Sequence, residues 1–175
     1  MKKQPLYFRL GPYVVSAMFL LFISVFLKGC AKDTTPEKIK SVQLATDAVL
    51  GSILTDSKGF TLYYFSNDID GASKCTGGCL AVWPIFYDSL LSASTLDAGL
   101  NAADFGIQLT NAGAKQTTYK GWPLYYYAPK DANGVNVREL AGEKKGEKVG
   151  NVWFVVKTYR NRVPKLTLIF RAFIP

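Results

Sequence analysis

The chain has 175 residues, of which 49% are apolar and 14% aromatic. This length suits one compact domain, and the composition excludes a disordered chain. The formal net charge is +8, but residues 1–29 and 157–175 together hold nine basic residues and no acidic one. The intervening body is nearly neutral, so nucleic acid is not an expected partner. The chain contains no histidine, which removes the commonest general base, and we expect no enzyme.

The N-terminus predicts a lipoprotein signal peptide over residues 1–29. Three basic residues precede an uncharged apolar run of 14 residues, 14–27. That run is shorter than the about 20 residues of a transmembrane helix and suits a signal peptide. Residues 27–30 (LKGC) resemble the bacterial lipobox, in which a cysteine after a small residue receives lipid. We therefore expect a lipid anchor on Cys30, with an uncleaved anchor or ordinary secretion as alternatives.

The predicted organisation has four parts. After the signal, residues 30–40 form a lipidated and flexible tether, residues 41–156 form the domain, and residues 157–175 form a basic, apolar tail. The tail fits a membrane contact, an extra strand or an irregular terminus. The expected location is the non-cytoplasmic side of the cell envelope. Ala31 after the lipidated cysteine resembles the pattern of lipoproteins that are released to an outer membrane, which favours that location if the cell has one.

Short apolar and aromatic runs predict a mainly β domain of antiparallel strands and hairpins. The predicted strands are 41–46, 48–54, 60–65, 106–110, 116–119, 122–127 and 152–158. Short helices are expected at 79–83 and 97–105. The fold class is therefore mainly β, with one or two short helices.

An internal repeat is the most informative feature of the domain. Residues 58–65 (KGFTLYYF) and 120–127 (KGWPLYYY) are identical at five of eight positions. Each copy then reaches an acidic turn and later a tryptophan: residues 68–71 and Trp83, and residues 131–134 and Trp153. A unit of this size cannot bury its own core, so we expect the two copies to pack together as pseudo-repeats.

Strand alternation predicts which aromatic residues share a face. It places Leu62 and Tyr64 on one face of the first repeat strand, and Tyr63 and Phe65 on the other. Both sets are apolar, so both faces should be covered.

The first copy resembles a known family. Residues 63–68 (YYFSND) carry a Tyr-x-(Phe/Trp/Tyr)-x-x-Asp motif, and the chain continues through Cys75 and Cys79 to Trp83. This pattern resembles predicted bacterial lipoproteins that contain a secreted repeat of unknown function. The second copy has one extra residue before Asp131. The resemblance, over about residues 41–156, implies an exported location and the repeat architecture, and it brings no catalytic residues with it.

Cys75 and Cys79 remain as an even pair once Cys30 is assigned to lipid. An oxidising compartment would let them form a disulfide that fixes the loop before Trp83. A redox pair is the alternative, although the spacing is Cys-x3-Cys and no βαβ context surrounds it.

Three aspartates offer oxygen ligands suited to calcium: Asp68, Asp70 and Asp131. Asx turns explain the same residues equally well. We predict no metal and no cofactor, with calcium as the weak candidate.

The aromatic residues fit two interpretations. They form either a stacking surface for a sugar, quinone or haem, or packed cross-strand pairs of a small core. The candidate ligand-binding residues are Tyr63, Phe65, Asp68, Asp70, Trp83, Tyr125, Tyr127 and Asp131.

The sequence as a whole predicts a lipid-anchored, non-enzymatic binding or structural module. Its expected contacts are the membrane, through Cys30, and an unidentified envelope ligand or protein. A thiol-redox or electron-transfer accessory protein using Cys75 and Cys79 is the alternative.

Overall fold

The structure is a computed structural model that describes residues 40–159. The predicted signal peptide, the lipidation site at Cys30 and the tail beyond residue 159 lie outside the described residues. Within residues 40–159, no helix is long and apolar enough to cross a membrane.

The described chain is mainly β, as predicted. Its strands are β1 (Val42–Asp47), β2 (Gly51–Asp56), β3 (Tyr63–Phe65), β4 (Phe105–Leu109), β5 (Lys115–Tyr119), β6 (Trp122–Pro123) and β7 (Trp153–Val155). One short helix, α1 (Gly78–Val82), matches the helix predicted at 79–83, and 3-10 turns occupy Ala102–Asp104 and Val149–Asn151. All strand pairs within the sheets are antiparallel.

Two hairpins with the same register begin the two copies. In the hairpin β1–β2, Val42 lies opposite Asp56. In the hairpin β4–β5, Phe105 lies opposite Tyr119. Each residue of the hairpin β1–β2 therefore has its counterpart in β4–β5 63 positions later. We name residues 42–86 the first copy and residues 105–156 the second copy.

The two copies join at their repeat strands. The backbone N–H of Tyr63 donates to the carbonyl of Tyr125 at 2.9 Å, and the N–H of Tyr125 donates back to Tyr63 at 2.9 Å. Such a reciprocal pair is the hydrogen-bonded pair of an antiparallel ladder. The two copies therefore pack together, as the repeat predicts.

In each copy, the segment that contains and follows the tryptophan, here called the tryptophan segment, pairs with the repeat strand of the other copy. The N–H of Val156, from the second copy, donates to Leu62 of the first at 2.9 Å. The N–H of Phe86, from the first copy, donates to Leu124 of the second at 2.8 Å. The copies are thus related by an approximate twofold exchange, and the sheet β3–β7 combines strands from both.

The predicted alternation of faces is confirmed. Leu62 and Tyr64 lie in one buried apolar cluster, with Trp122, Leu124 and Tyr126 of the second copy. Tyr63 and Phe65 lie in another, with Tyr125 and Tyr127. The repeat strands form the layer between the two clusters, and both of their faces are covered.

The helix predicted at 97–105 is wrong except for the 3-10 turn at Ala102–Asp104. The Asp97 carboxylate accepts the N–H of Leu44 at 3.1 Å, which ties this segment to β1. Gly99 has a φ of 92°, which no helical residue adopts. A tertiary contact and a turn glycine therefore override the local helical pattern.

The strand predicted at 48–54 begins three residues late, at Gly51. The Asp47 carboxylate accepts the N–H groups of Val49 and Leu50 at 2.9 and 2.7 Å. This Asx turn takes up the backbone donors that a longer strand would have used.

The repeat strands are shorter in regular pairing than predicted. Regular pairing covers Tyr63–Phe65 of 60–65 and Trp122–Pro123 of 122–127. Beyond this regular pairing, Thr61 and Tyr125 each form an isolated β-bridge.

Candidate functional site

The centre of the interface between the copies is a pair of stacked indole rings. Trp83 of the first copy and Trp153 of the second have ring centroids 3.8 Å apart and planes 3° from parallel. Phe65 stacks on Trp153 at 4.2 Å, and Tyr127 packs on Trp83 at 4.5 Å. Each motif strand therefore packs an aromatic ring on the tryptophan of the other copy.

Two buried tyrosine–carboxylate pairs flank this stack. The hydroxyl of Tyr125 donates to Asp68 at 2.8 Å. The second oxygen of Asp68 accepts the backbone N–H of Lys74 at 2.8 Å, and the hydroxyl of Ser73 lies 2.7 Å from that of Tyr125. The motif aspartate of the first copy thus anchors a tyrosine of the second.

The reciprocal pair uses Glu139. The hydroxyl of Tyr63 donates to one oxygen of Glu139, and the backbone N–H of Lys145 donates to the other at 2.7 Å. Lys74 follows Asp68 by six residues, and Lys145 follows Glu139 by six. Glu139, and not Asp131, is therefore the counterpart of Asp68.

Burial governs the protonation of these pairs. It raises the pKa of Asp68 to about 6, although the hydrogen bonds from Lys74 and Tyr125 oppose the shift. Burial also raises the pKa of Glu139. The pKa values of Tyr63 and Tyr125 are raised far above that of free tyrosine, first by burial. Both hydroxyls therefore stay protonated and act as donors.

Asp131 and Asp70 are exposed and build turns. One oxygen of Asp131 accepts the N–H groups of Asn133 and Val135 at 2.8 and 2.9 Å, and the bond from Val135 chiefly lowers its pKa. Asp70 accepts the N–H of Ala72 at 3.0 Å.

The three aspartates do not form one calcium site. Among residues 40–159, no three acidic or cysteine side chains come close enough to hold a metal ion. Asp68 is buried against Tyr125, while Asp70 pairs with the Lys74 ammonium at 2.6 Å. The turn interpretation matches Asp70 and Asp131, whereas Asp68 anchors Tyr125, so the three do not converge on one cation.

The candidate stacking residues lie in the core. Tyr63 and Tyr125 are completely buried, and Trp83 is 3% exposed. Phe65 and Tyr127 are partly buried and pack against the same cluster. The arrangement matches packed cross-strand pairs, and it does not present these rings as an open surface.

Cys75 and Cys79 form the predicted disulfide. Cys75 is buried, and Cys79 accepts the backbone N–H of Trp83 at 2.8 Å through its carbonyl. The bridge therefore fixes the loop that carries Trp83 into the interface.

The second copy has Gly146 where the first has Cys75. A Cβ at Gly146 would lie 2.8 Å from a ring carbon of Tyr63, so a glycine is required for this close approach. Its N–H also points to the hydroxyl of Tyr63 at 3.3 Å. Glu139 and Gly146 were not predicted, although the shared spacing from acid to lysine was a signal for Glu139.

The fold and this interface define a domain made of two interlocked β repeats. Residues 45–86, most of the first copy, match the family model Lipoprotein_15, a secreted repeat of unknown function. This match confirms the resemblance predicted from the motif, and the family description indicates a location outside the cytoplasm. No curated protein and no solved structure matches the chain.

Proposed function

We propose that the chain is an envelope lipoprotein whose domain, residues 41–156, is a non-enzymatic binding or structural module. Lipid on Cys30 holds it on the non-cytoplasmic side of a membrane, the outer membrane where the cell has one. The match to a secreted repeat supports export. The disulfide supports it too, because such bonds persist in oxidising compartments.

The exchange of tryptophan segments between the copies is the observation that carries this proposal. In this exchange, the aromatic rings and both buried acids make the contacts that hold the two copies together. Buried tyrosine–carboxylate networks that are fully hydrogen-bonded make a core rigid and specific. A rigid scaffold of this kind suits the presentation of loops.

The long loop of the second copy is the surface that we assign to binding. Asp131 closes its tip with two backbone hydrogen bonds, and Lys130 and Asn136 form a bridge across it. Val135 and Val137 are 57% and 50% exposed on this loop. Exposed apolar side chains on a fixed loop suit contact with an envelope ligand or protein.

Metabolic labelling with an alkyne fatty acid in a bacterial host tests the anchor. We expect label on the wild-type chain and none on Cys30→Ala. The double variant Cys75→Ala/Cys79→Ala is the matched control and should keep its label. Label that persists on Cys30→Ala would contradict a lipid at this position.

Thermal melting separates binding from a purely structural role. A ligand that binds the folded state raises the melting temperature in proportion to the logarithm of its concentration. We would add candidate envelope components, beginning with soluble peptidoglycan fragments. A shift that is lost in Val135→Ser/Val137→Ser identifies the loop as the contact, while Val49→Ser, at an exposed valine of the first copy, is the control.

The second candidate function is thiol-redox or electron-transfer chemistry at Cys75 and Cys79, and the disulfide between them favours it. Its reduction potential discriminates the two functions. A value below about −300 mV marks a structural bridge, and a value of about −120 to −200 mV marks an oxidoreductase.

A further inference from the structure

The outer edge of β1 is covered by a segment that follows the first copy. Val42 and Leu96 form a parallel bridge, the N–H of Ser41 donates to Thr95 at 2.7 Å, and the N–H of Asp97 donates to Val42 at 3.1 Å. The Leu96 side chain is buried in the same cluster as Val42 and Leu54. Residues 95–97 thus pair with the edge strand and also fill the core beneath it.

Within residues 40–159, nothing pairs with the corresponding edge in the second copy. β4 is the edge strand of its sheet, and among the described residues β5 is its only strand partner. Phe105, Ile107 and Thr117 take the positions of Val42, Leu44 and Leu54. Val42 is fully buried whereas its counterpart Phe105 is half-buried, and Leu44 is half-buried whereas Ile107 is 57% exposed.

A cavity of about 260 Å³ lies beside this open edge. Its lining is apolar apart from Thr117: Leu91, Ala102, Phe105, Gly106, Ile107 and Thr117. Edge strands that are meant to stay unpaired usually carry charges or proline, and β4 (FGIQL) has neither. The edge therefore has the character of a strand that accepts a partner.

The relation between the copies identifies the segment that fits this edge. Residues 95–97 follow Trp83 by 12 to 14 positions, and residues 165–167 follow Trp153 by the same distance. Leu166 then corresponds to Leu96, and Phe170 corresponds to Leu100, which packs on the same cluster. The tail thus repeats the apolar positions that cover the first copy.

The chain leaves the described domain close enough to reach β4. The carbonyl of Thr158 accepts hydrogen bonds from the hydroxyl of Tyr119 at 3.2 Å and from the ammonium of Lys120 at 2.7 Å. Tyr119 lies directly opposite Phe105, with ring centroids 4.9 Å apart. The seven residues 159–165 can span up to about 23 Å.

We propose that residues 165–167 bind the outer edge of β4 as residues 95–97 bind β1, with Leu166 in the cavity. The partner of this interaction surface is the chain's own tail. Leu168 corresponds to Ala98, which is exposed, so the proposed pairing assigns Leu168 no contact with the core.

Hydrogen exchange on the full-length chain in a neutral detergent tests the proposal. We expect the amides of residues 105–109 to exchange about tenfold faster in Leu166→Asp than in the wild type, because exchange reports local opening. Leu168→Asp is the matched control and should exchange like the wild type. Both substitutions lie outside the domain, so its fold is not at risk.

Disulfide trapping gives a second readout. Phe105→Cys/Leu166→Cys should form an intramolecular cross-link under mild oxidation, because bridge partners in a sheet lie within disulfide range. Phe105→Cys/Leu168→Cys should not.

Three results would overturn the proposal. Equal exchange in the wild type and both variants would show that the tail does not cover β4. Protection that rises with protein concentration, or an intermolecular cross-link, would assign the edge to a second copy of the chain. Protection that requires anionic phosphatidylglycerol vesicles would assign the tail to a membrane surface.

Discussion

The two copies make the same contacts with different residues. In the first copy, the acid that anchors the partner's tyrosine is Asp68, five residues after Tyr63. In the second copy it is Glu139, 14 residues after Tyr125. The geometry is retained because the longer glutamate and the longer loop still bring a carboxylate and a following backbone N–H to the tyrosine of the other copy.

This difference shows where the domain tolerates change. The reciprocal contacts at the interface are kept, while the connecting loops differ in length, in the disulfide and in the role of their aspartates. Loops at the surface lose little when they are extended, whereas a buried carboxylate must keep its donors. The interface is therefore the part of the repeat on which stability depends.

The largest expected effect comes from removing either tryptophan of the central stack. Trp83→Ala and Trp153→Ala should each lower the free energy of unfolding by about 3–5 kcal/mol, because each removes a large buried ring. Urea denaturation measures this loss. Leu109→Ala, at a side chain that is 67% exposed, is the control and should change it by about 0.5 kcal/mol or less.

The same experiment tests whether the copies are interlocked. Each variant should unfold in one transition that includes both copies, because each tryptophan lies beside the strand of the other copy. Two separate transitions, one for each copy, would show that the exchange does not couple them.

The next effect distinguishes Glu139 from Asp131. Glu139→Ala should lower the free energy of unfolding by about 2–3 kcal/mol, because it leaves the buried hydroxyl of Tyr63 without its acceptor. Asp131→Ala removes only an exposed turn and should cost about 1 kcal/mol or less. Equal losses would refute the assignment of Glu139 as the counterpart of Asp68.

A pH series tests the buried carboxyl of Asp68. Its pKa in the folded state is raised to about 6 from 3.8, so the folded state binds a proton more tightly than the unfolded state does. The resulting stability is fully present below pH 3.8 and is lost as the pH rises through about 6. Between pH 4 and pH 7 the loss should be about 2 kcal/mol.

The matched variant for this series is Asp68→Asn, which cannot titrate. The difference in stability between wild type and Asp68→Asn should vary with pH in this window. Asp131→Asn, which removes an exposed acid with a lowered pKa, should not reproduce that variation. A difference that is flat from pH 4 to pH 7 would contradict a raised pKa at Asp68.

The smallest expected effect comes from the disulfide, which only the first copy has. Cys75→Ala/Cys79→Ala should lower the free energy of unfolding by at most about 2 kcal/mol, since the bridge closes a very short loop. Hydrogen exchange should quicken mainly in residues 72–82. An equally large increase in the exchange rate around Gly146 would show that the loops of the two copies open together.

Local pattern was sufficient to predict the fold class and the packing of the repeat strands. Alternation alone assigned Leu62 and Tyr64 to one cluster and Tyr63 and Phe65 to the other, because both faces of these strands are buried. The disulfide and α1 also followed from short-range signals. The helix at 97–105 did not form, because the tie from Asp97 to β1 is a contact between distant residues.

The long-range hydrogen bonds could not be read from the motif. Asp131 lies six residues after Tyr125, one more than the motif spacing, and it is exposed and closes a turn. Glu139 acts in its place after an insertion, and its signal in the sequence is the spacing of six residues to Lys145, which the motif does not include. The packing of Gly146 against Tyr63 likewise depends on residues 83 positions apart.

The antiparallel bridge between Tyr63 and Tyr125 has a consequence for chains that carry a single copy of this repeat. Both partners in the bridge offer the same backbone groups, so one copy is complementary to another copy like itself. A chain with one copy would satisfy its tryptophan segment and its buried acid only by joining a second chain. Covalent linkage of two copies, as in this protein, makes that assembly independent of concentration. It also allows the two copies to differ in sequence.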